Sequence, residues 1–196
     1  MKFNPHREIL IISLFTTTWL LSCQKEKETD NTAANRIAAS EQLFIPAEVA
    51  LPDNPPAGNE RVATYYAEGV QKYRAQAKPG GGFEWVFVAP RADLFDNRNH
   101  KSGTHGAGPF WAVNSTDSIF AQAFSPARTA TPDPGSIPWL LLMPKTGKTP
   151  GGIFTNVAYI QRIATTGGKA PATAPLSISD TADVFYTAIY RFSRIK

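Results

Sequence analysis

The chain has 196 residues, and its 20 Lys and Arg residues against 16 Asp and Glu residues give a formal net charge of +4 at pH 7. The basic residues are scattered along the chain, which excludes the clustered basic face that nucleic-acid binding needs. Cys23 is the single cysteine, so the domain after it has no disulfide, no cysteine nucleophile and no cysteine metal site.

Residues 1–22 have the pattern of a secretory signal peptide. Lys2 and Arg7 give a positive start, and residues 9–21 form an apolar run shorter than the roughly 20 residues of a membrane-spanning helix. Residues 20–23 read Leu-Leu-Ser-Cys, which resembles the lipobox of bacterial lipoproteins. The alternative interpretation is an ordinary buried helix with a spare cysteine.

The lipoprotein resemblance implies a membrane partner and an address. Proteins of that class are cleaved before the cysteine, which carries a diacylglycerol, and several acyl chains, palmitate among them, make the anchoring stable. Gln24 follows Cys23 where an Asp would favour the inner membrane, and residues 24–28 are similar to signals of surface-exposed lipoproteins. We therefore expect a bacterial cell-envelope protein, anchored in the outer membrane through Cys23; the face that it occupies stays open.

Residues 23–40 are polar and small, which predicts a tether. Within and just beyond it, residues 36–43 have a weak helical pattern. Residues 41–196 are long enough for one domain with a sizeable core.

From residue 62 onward the sequence alternates with a period of two, which is the pattern of β-strands. The segments 83–88, 157–163 and 184–192 carry apolar or aromatic residues on both faces, and residues 62–76, 118–124 and 137–143 are further strand candidates. Gly/Pro-rich loops separate these segments, at residues 79–82, 132–135, 150–152 and 167–168. Strands with two apolar faces predict an all-β fold, a single β-sandwich or barrel-like domain.

Several segments together resemble the DUF3455 family of secreted bacterial and fungal proteins, which has no established function. The resemblance runs in chain order through residues 68–73, 85–95, 103–105, 108–111, 137–142, 159–162 and 165–171. It implies a single all-β domain and no particular activity.

The candidate ligand site centres on His105. Thr104 and His105 lie near Trp111, and aromatic groups beside polar ones suit a carbohydrate or a small apolar ligand. Asp93, Asp96, His100 and His105 lie in one Asp-, Asn- and Gly-rich stretch, whose composition predicts a loop, and the two aspartates are candidate partners for His105. The alternative for the tryptophans is the core: the sequence predicts a core position for Trp85 and leaves Trp111 open.

No catalytic signature stands out. The glycines of residues 103–108 lack the order and the βαβ context of a dinucleotide site, and no G-x-S-x-G is present, so no cofactor is expected. Asp96, His100 and His105 match no firm zinc spacing, so no metal is predicted. The sequence favours a lipid-anchored binding or structural module; the alternative is a secreted hydrolase, metal-dependent or polysaccharide-acting, that uses His105 with a nearby Asp.

Overall fold

The structure is a computed structural model that describes residues 32–196. The predicted signal peptide, Cys23 and the first part of the predicted tether lie outside the described residues. A helix, α1 (Ala33–Ser40), precedes eight strands: β1 (Asn59–Ala77), β2 (Phe83–Phe95), β3 (Lys101–Gly106), β4 (Phe110–Ala112), β5 (Ser118–Ala130), β6 (Trp139–Pro144), β7 (Val157–Gly167) and β8 (Thr181–Ile195). Short 3-10 turns lie at Ala47–Val49 and Gly152–Phe154.

The eight strands form one closed antiparallel barrel. Each strand pairs with the next one along the chain, and β8 closes the sheet by pairing with β1 from Asn59↔Ile195 to Arg74↔Thr181. The all-β prediction is confirmed, and of the two architectures it allowed, the barrel is the one that forms. A closed barrel leaves no strand edge open to pairing with another chain.

Both faces of the barrel wall are buried over much of its circumference, which explains the two-sided apolar pattern of the sequence. On β8, Tyr186, Tyr190 and Phe192 face the interior, where they join the main hydrophobic cluster. The alternate residues Ile189 and Arg191 face outward and are nevertheless buried. Something outside the barrel must therefore cover this part of the wall.

The cover is α1 and the extended segment that follows it. Ile37 and Val49 pack into a second hydrophobic cluster on the outer face. Gln161 donates from Nε2 to the carbonyl of Val49 at 2.8 Å, and Arg191 donates from Nη2 to the carbonyl of Ser40 at 2.8 Å. The described part of the predicted tether thus contacts the barrel from α1 onward, before the predicted domain boundary at residue 41. No helix among residues 32–196 is long and apolar enough to cross a membrane.

One stretch differs from the sequence-based expectation. The Asp-, Asn- and Gly-rich composition of residues 93–106 predicts a loop, but Lys101–Gly106 form β3. This strand exists because β2 and β4 pair with it on its two sides. The residues that carry the candidate site are therefore held on a sheet, where alternate side chains point to opposite faces.

Candidate functional site

A cavity of about 380 Å³ opens at the end of the barrel that carries the β3–β4 turn. Most of its wall is apolar and is formed by residues 87–90, residues 107–109, Ala123, Leu140 and Leu142. Four larger side chains complete the lining: His105, Trp111, Arg162 and Tyr190. Toward the other end of the barrel, the ring of the fully buried Phe154 packs 4.7 Å from that of Phe192. The cavity is therefore a pocket in the barrel mouth above a packed core.

His105 points into the barrel from β3. It lies opposite Trp111 of β4 in the strand register, and the two rings stack 4.5 Å apart. Its Nδ1 lies 2.7 Å from the carbonyl oxygen of Phe110. Because a carbonyl oxygen only accepts, we assign the proton to Nδ1, which leaves Nε2 as an acceptor.

The surroundings keep His105 uncharged at neutral pH. Burial lowers its pKa from 6.5 to about 4, the charge of Arg162 acts in the same direction, and the hydrogen bond to Phe110 opposes them. Only 3% of the residue is exposed. A neutral imidazole stacked on an indole suits an apolar wall better than a charged one would.

Several buried polar atoms beside this pocket lack hydrogen-bond partners among the described residues. They include the indole Nε1 of Trp111 and the hydroxyl of Tyr190, both on residues that line the pocket, and, on residues outside the lining, the hydroxyl of Tyr186 and Nε2 of Gln71. Arg162 and Tyr186 are near enough to the Tyr190 hydroxyl to affect its pKa, which burial raises, but no described group meets hydrogen-bond geometry with it. Tyr186 lies close enough to Tyr190 and Gln71 for side-chain hydrogen bonding to affect its pKa, so the indole N–H of Trp111 is the clearest unpartnered donor in the pocket lining.

Arg162 is the cation of the pocket. It lies opposite Tyr190 and Leu140 in the strand register and therefore shares the inner face with them. Its Nε and Nη2 donate to the carbonyl of Pro138 at 3.1 and 2.8 Å. None of the ion pairs found among residues 32–196 involves Arg162.

The structure brings together two of the four residues predicted for the ligand site. His105 and Trp111 meet on the inner face, whereas Thr104 and Asp93 are paired with each other in the strand register on the outer face. There the carboxylate of Asp93 lies 2.8 Å from Nζ of Lys101. The pairing of His105 with Asp93 that a hydrolase would use is not formed.

Asp96 and His100 lie at the opposite end of the barrel from the pocket, in the β2–β3 turn. His100 Nδ1 is 3.9 Å from an Asp96 carboxylate oxygen, and the other carboxylate oxygen accepts the backbone N–H groups of Arg98 and His100. This carboxylate stabilises the turn and does not reach His105. Within residues 32–196, no group of three or more His, Cys, Asp or Glu side chains is placed to hold a metal ion.

The two tryptophans that the sequence analysis compared differ in burial, and the position that it left open for Trp111 is in the core. Trp85, predicted to be core, is only partly buried, and its Nε1–H donates to the carbonyl of Thr173 at 2.9 Å. Trp111 is fully buried and belongs to the main hydrophobic cluster while also lining the pocket. The prediction for Trp85 is wrong because β2 extends beyond the barrel wall with β1 as its partner there.

Arg162 and Tyr190 are the site residues that sequence reasoning missed. The signal for Arg162 was its place in the alternation: it shares a face with Ile160, which is fully buried. A charged residue on the apolar face of a strand is an exception that points to a special environment.

A comparison with protein families finds one match. The family described as "Protein of unknown function (DUF3455)" matches residues 56–194 of the chain. This chain belongs to the DUF3455 family. No curated protein and no solved structure matches the chain significantly.

The DUF3455 match contains the whole barrel mouth. Every residue that lines the pocket, from Phe87 to Tyr190, falls within it, whereas α1 and the 3-10 turn Ala47–Val49 lie before its start. The pocket is thus a feature of the DUF3455 domain itself, and the outer cover is added by the segment that precedes the match.

Proposed function

We propose that this DUF3455 domain binds a small, largely apolar ligand in the barrel mouth, and that a lipidated Cys23 holds it at the cell envelope. The cavity of about 380 Å³ carries the binding part of this proposal. Its volume is at the lower end of the range for small-molecule sites, and it combines an apolar wall with a few polar groups, as such sites do. It is large enough for one small ligand.

The fold supports a binding role. Barrels of about eight strands are just wide enough to hold one small ligand among their interior side chains. Here the neutral His105 stacks on Trp111, and both belong to a wall that is otherwise mostly apolar. This wall favours an apolar ligand over a carbohydrate, whose hydroxyl groups would lack partners along most of it.

The hydrolase alternative finds less support in the geometry. Its general base would be His105, which needs a group to orient it and a carboxylate to stabilise its charged form. The contact of His105 Nδ1 is instead the backbone carbonyl of Phe110, and its pKa of about 4 disfavours protonation at neutral pH. Binding therefore remains the function that the site supports best.

A neutral fluorescent probe tests the binding proposal. We expect N-phenyl-1-naphthylamine to bind the full chain carrying Cys23→Ser with a dissociation constant of roughly 1–100 µM. Ala107→Phe, which places a ring at the pocket opening, should weaken binding about tenfold or more. Ala172→Phe, at an exposed loop position outside the pocket lining, is the matched control. Absence of probe binding, or equal binding by the two variants, would contradict the proposal.

Labelling tests the anchoring proposal separately. Cells that express the wild-type chain and are fed radioactive palmitate should incorporate label into it, and the protein should fractionate with the outer membrane. Cys23→Ser should abolish both results because it removes the acceptor sulfur. Label that persists in the variant would show that the lipobox interpretation is wrong, without bearing on ligand binding.

A further inference from the structure

We propose that the ligand of the barrel mouth is a small monocarboxylate, whose carboxylate pairs with Arg162 and whose apolar body lies along the wall of β2, β5 and β6. This inference rests on the proposed binding function and adds the charge of the ligand. It starts from the cation in the pocket and from the donors around it.

A guanidinium is always charged at physiological pH, and an arginine partly removed from water usually has an acid partner. Arg162 is partly buried, and none of the ion pairs among residues 32–196 includes it. Its bonds to the carbonyl of Pro138 hold the guanidinium in place and use Nε and one N–H of Nη2. Of its five N–H donors, three are not bonded to Pro138, and the Tyr190 hydroxyl lies close to the guanidinium.

The neighbours of Arg162 strengthen the case for an anion. The Trp111 indole N–H can only donate, and it has no partner within the described chain. The Tyr190 hydroxyl, which lies close to Tyr186 and Arg162, can also donate a hydrogen bond. No carboxylate is among the groups that affect the pKa of His105 or of Tyr190. A pocket with one positive charge, unused donors and low-dielectric walls attracts a negatively charged ligand.

A carboxylate fits this arrangement better than a larger anion. Its two oxygens match the planar guanidinium, with which they form two parallel hydrogen bonds. The cavity of about 380 Å³ leaves room for an apolar body of modest size beside it. The apolar part of the ligand is either an alkyl chain or a flat ring system, and the experiment below distinguishes the two.

The test compares acids with their uncharged amides of the same shape. Octanoate with octanamide, and naphthalene-2-carboxylate with naphthalene-2-carboxamide, are titrated at pH 7.5 by calorimetry into the full chain carrying Cys23→Ser. At least one acid should bind roughly 10- to 100-fold more tightly than its amide, which is the effect expected of hydrogen bonds to a charged group. The pair that binds identifies the kind of body.

Arg162 variants then assign the preference to this residue. Arg162→Gln should abolish the acid-over-amide preference, measured as the ratio of the two dissociation constants, while Arg162→Lys should keep part of it. Arg91→Gln, which removes a positive charge from an arginine side chain that is 72% exposed, is the matched control and should change nothing.

Two results would overturn the inference. Equal binding of acid and amide to the Cys23→Ser chain would leave the binding function standing and refute the carboxylate. A preference that survives in Arg162→Gln would refute the role of Arg162. If none of the four compounds binds while N-phenyl-1-naphthylamine does, the carboxylate inference fails alone; if nothing binds, the proposed function fails with it.

Discussion

Two arginines on neighbouring strands have different partners, depending on whether they face the inside or the outside of the barrel. Arg191 of β8 faces outward under α1, where its Nη2 donates to Ser40 and lies 3.3 Å from a carboxylate oxygen of Glu41, although its Nε has no partner. Arg162 of β7 faces inward and donates to the carbonyl of Pro138, and no carboxylate among residues 32–196 forms an ion pair with it. The outer arginine joins two parts of the chain, whereas the inner one keeps donors free in a cavity.

Other polar groups on the outer and the inner face differ in the same way. On the outside, the segment before β1 supplies carbonyl groups to side chains of the barrel. The carbonyl of Val49 accepts from Gln161, and the carbonyls of Ala47, Glu48 and Ala50 accept from Arg128. On the inside, donors and hydroxyls next to the cavity have no partner within the described chain. Unpartnered buried atoms also occur on the outer face, at Arg191 Nε and Ser193 Oγ, but four of the six found among the described residues are on inward-facing residues. The outer contacts are explained by stability, and the inner donors are the ones that the proposed ligand would use.

The largest expected effect tests whether the inner face is also part of the core. Trp111→Ala and Trp139→Ala remove buried indoles on the inner and the outer cluster, and each should lower the free energy of unfolding by about 3–5 kcal/mol. Urea denaturation followed by far-UV circular dichroism measures this. The milder Trp111→Phe and Trp139→Phe should stay folded, and only the first should alter binding of the probe. A Trp111→Ala cost below about 1 kcal/mol would show that the cavity side contributes little to stability.

Acid should destabilise the inner and the outer face of the barrel over different pH ranges, because different groups titrate on each. The pKa of His105 is about 4 in the folded barrel and 6.5 in the unfolded chain, so the unfolded chain binds the proton first as the pH falls. Stability should therefore fall from about pH 6.5 to pH 4, by about 3 kcal/mol for the 2.5-unit difference. On the outer side the pKa of Glu41 is lowered, chiefly by its hydrogen bond from Arg61, so its stabilisation is lost only below about pH 4.5.

Substitution of the histidine assigns the upper part of this acid dependence. His105→Phe keeps a ring against Trp111 and should flatten the urea-measured stability between pH 6.5 and pH 5. His100→Asn changes an exposed histidine at the other end of the barrel and serves as the control. An unchanged slope in His105→Phe would mean that another group governs this pH range.

The arginines themselves give the next prediction. Arg191→Met should lower the free energy of unfolding by about 2–3 kcal/mol, because it leaves the buried carbonyl of Ser40 without its donor and separates α1 from β8. Arg162→Met should cost about 1 kcal/mol or less, since the lost bonds to Pro138 are offset by removal of a partly buried charge without a counterion. Chemical denaturation measures both, and a reversed order would contradict the division between structural and ligand-facing arginines.

The fold could be predicted as far as local patterns reach. The alternation in residues 184–192 predicts a strand with two apolar faces, and β8 has them. The choice between sandwich and barrel could not be made, because it depends on the pairing of β1 with β8 across more than 100 residues of chain, and alternation does not record which strand is the partner. β3 could not be predicted for a related reason. Its glycines and polar residues have low strand propensity, and the strand forms because β2 and β4 pair with it.

The site could be predicted in part. His105 and Trp111 stand close together in sequence and do meet. Thr104 is adjacent to His105 and yet points to the other face, since in a strand neighbours alternate, and a loop assignment hides this. Arg162 and Tyr190 reach the pocket from β7 and β8, and their convergence depends on a register that only the closed barrel sets.

The smallest expected effect concerns Asp93, the predicted site residue that the register places on the outer face. Both side chains of its ion pair with Lys101 are exposed to solvent, and such pairs contribute about 1 kcal/mol or less to stability. Asp93→Asn should therefore change stability by no more than that, and probe binding by less than about twofold. Thr104→Val is a second outer-face variant and should have the same small effects.

A large loss of binding in Asp93→Asn would mean that the charge on the outer face of β2 and β3 affects the pocket, and would contradict the division between the two faces. Unchanged binding, together with a loss of binding in Ala107→Phe, would leave the ligand on the inner face, where no carboxylate among residues 32–196 is placed to help His105 act as a hydrolytic base.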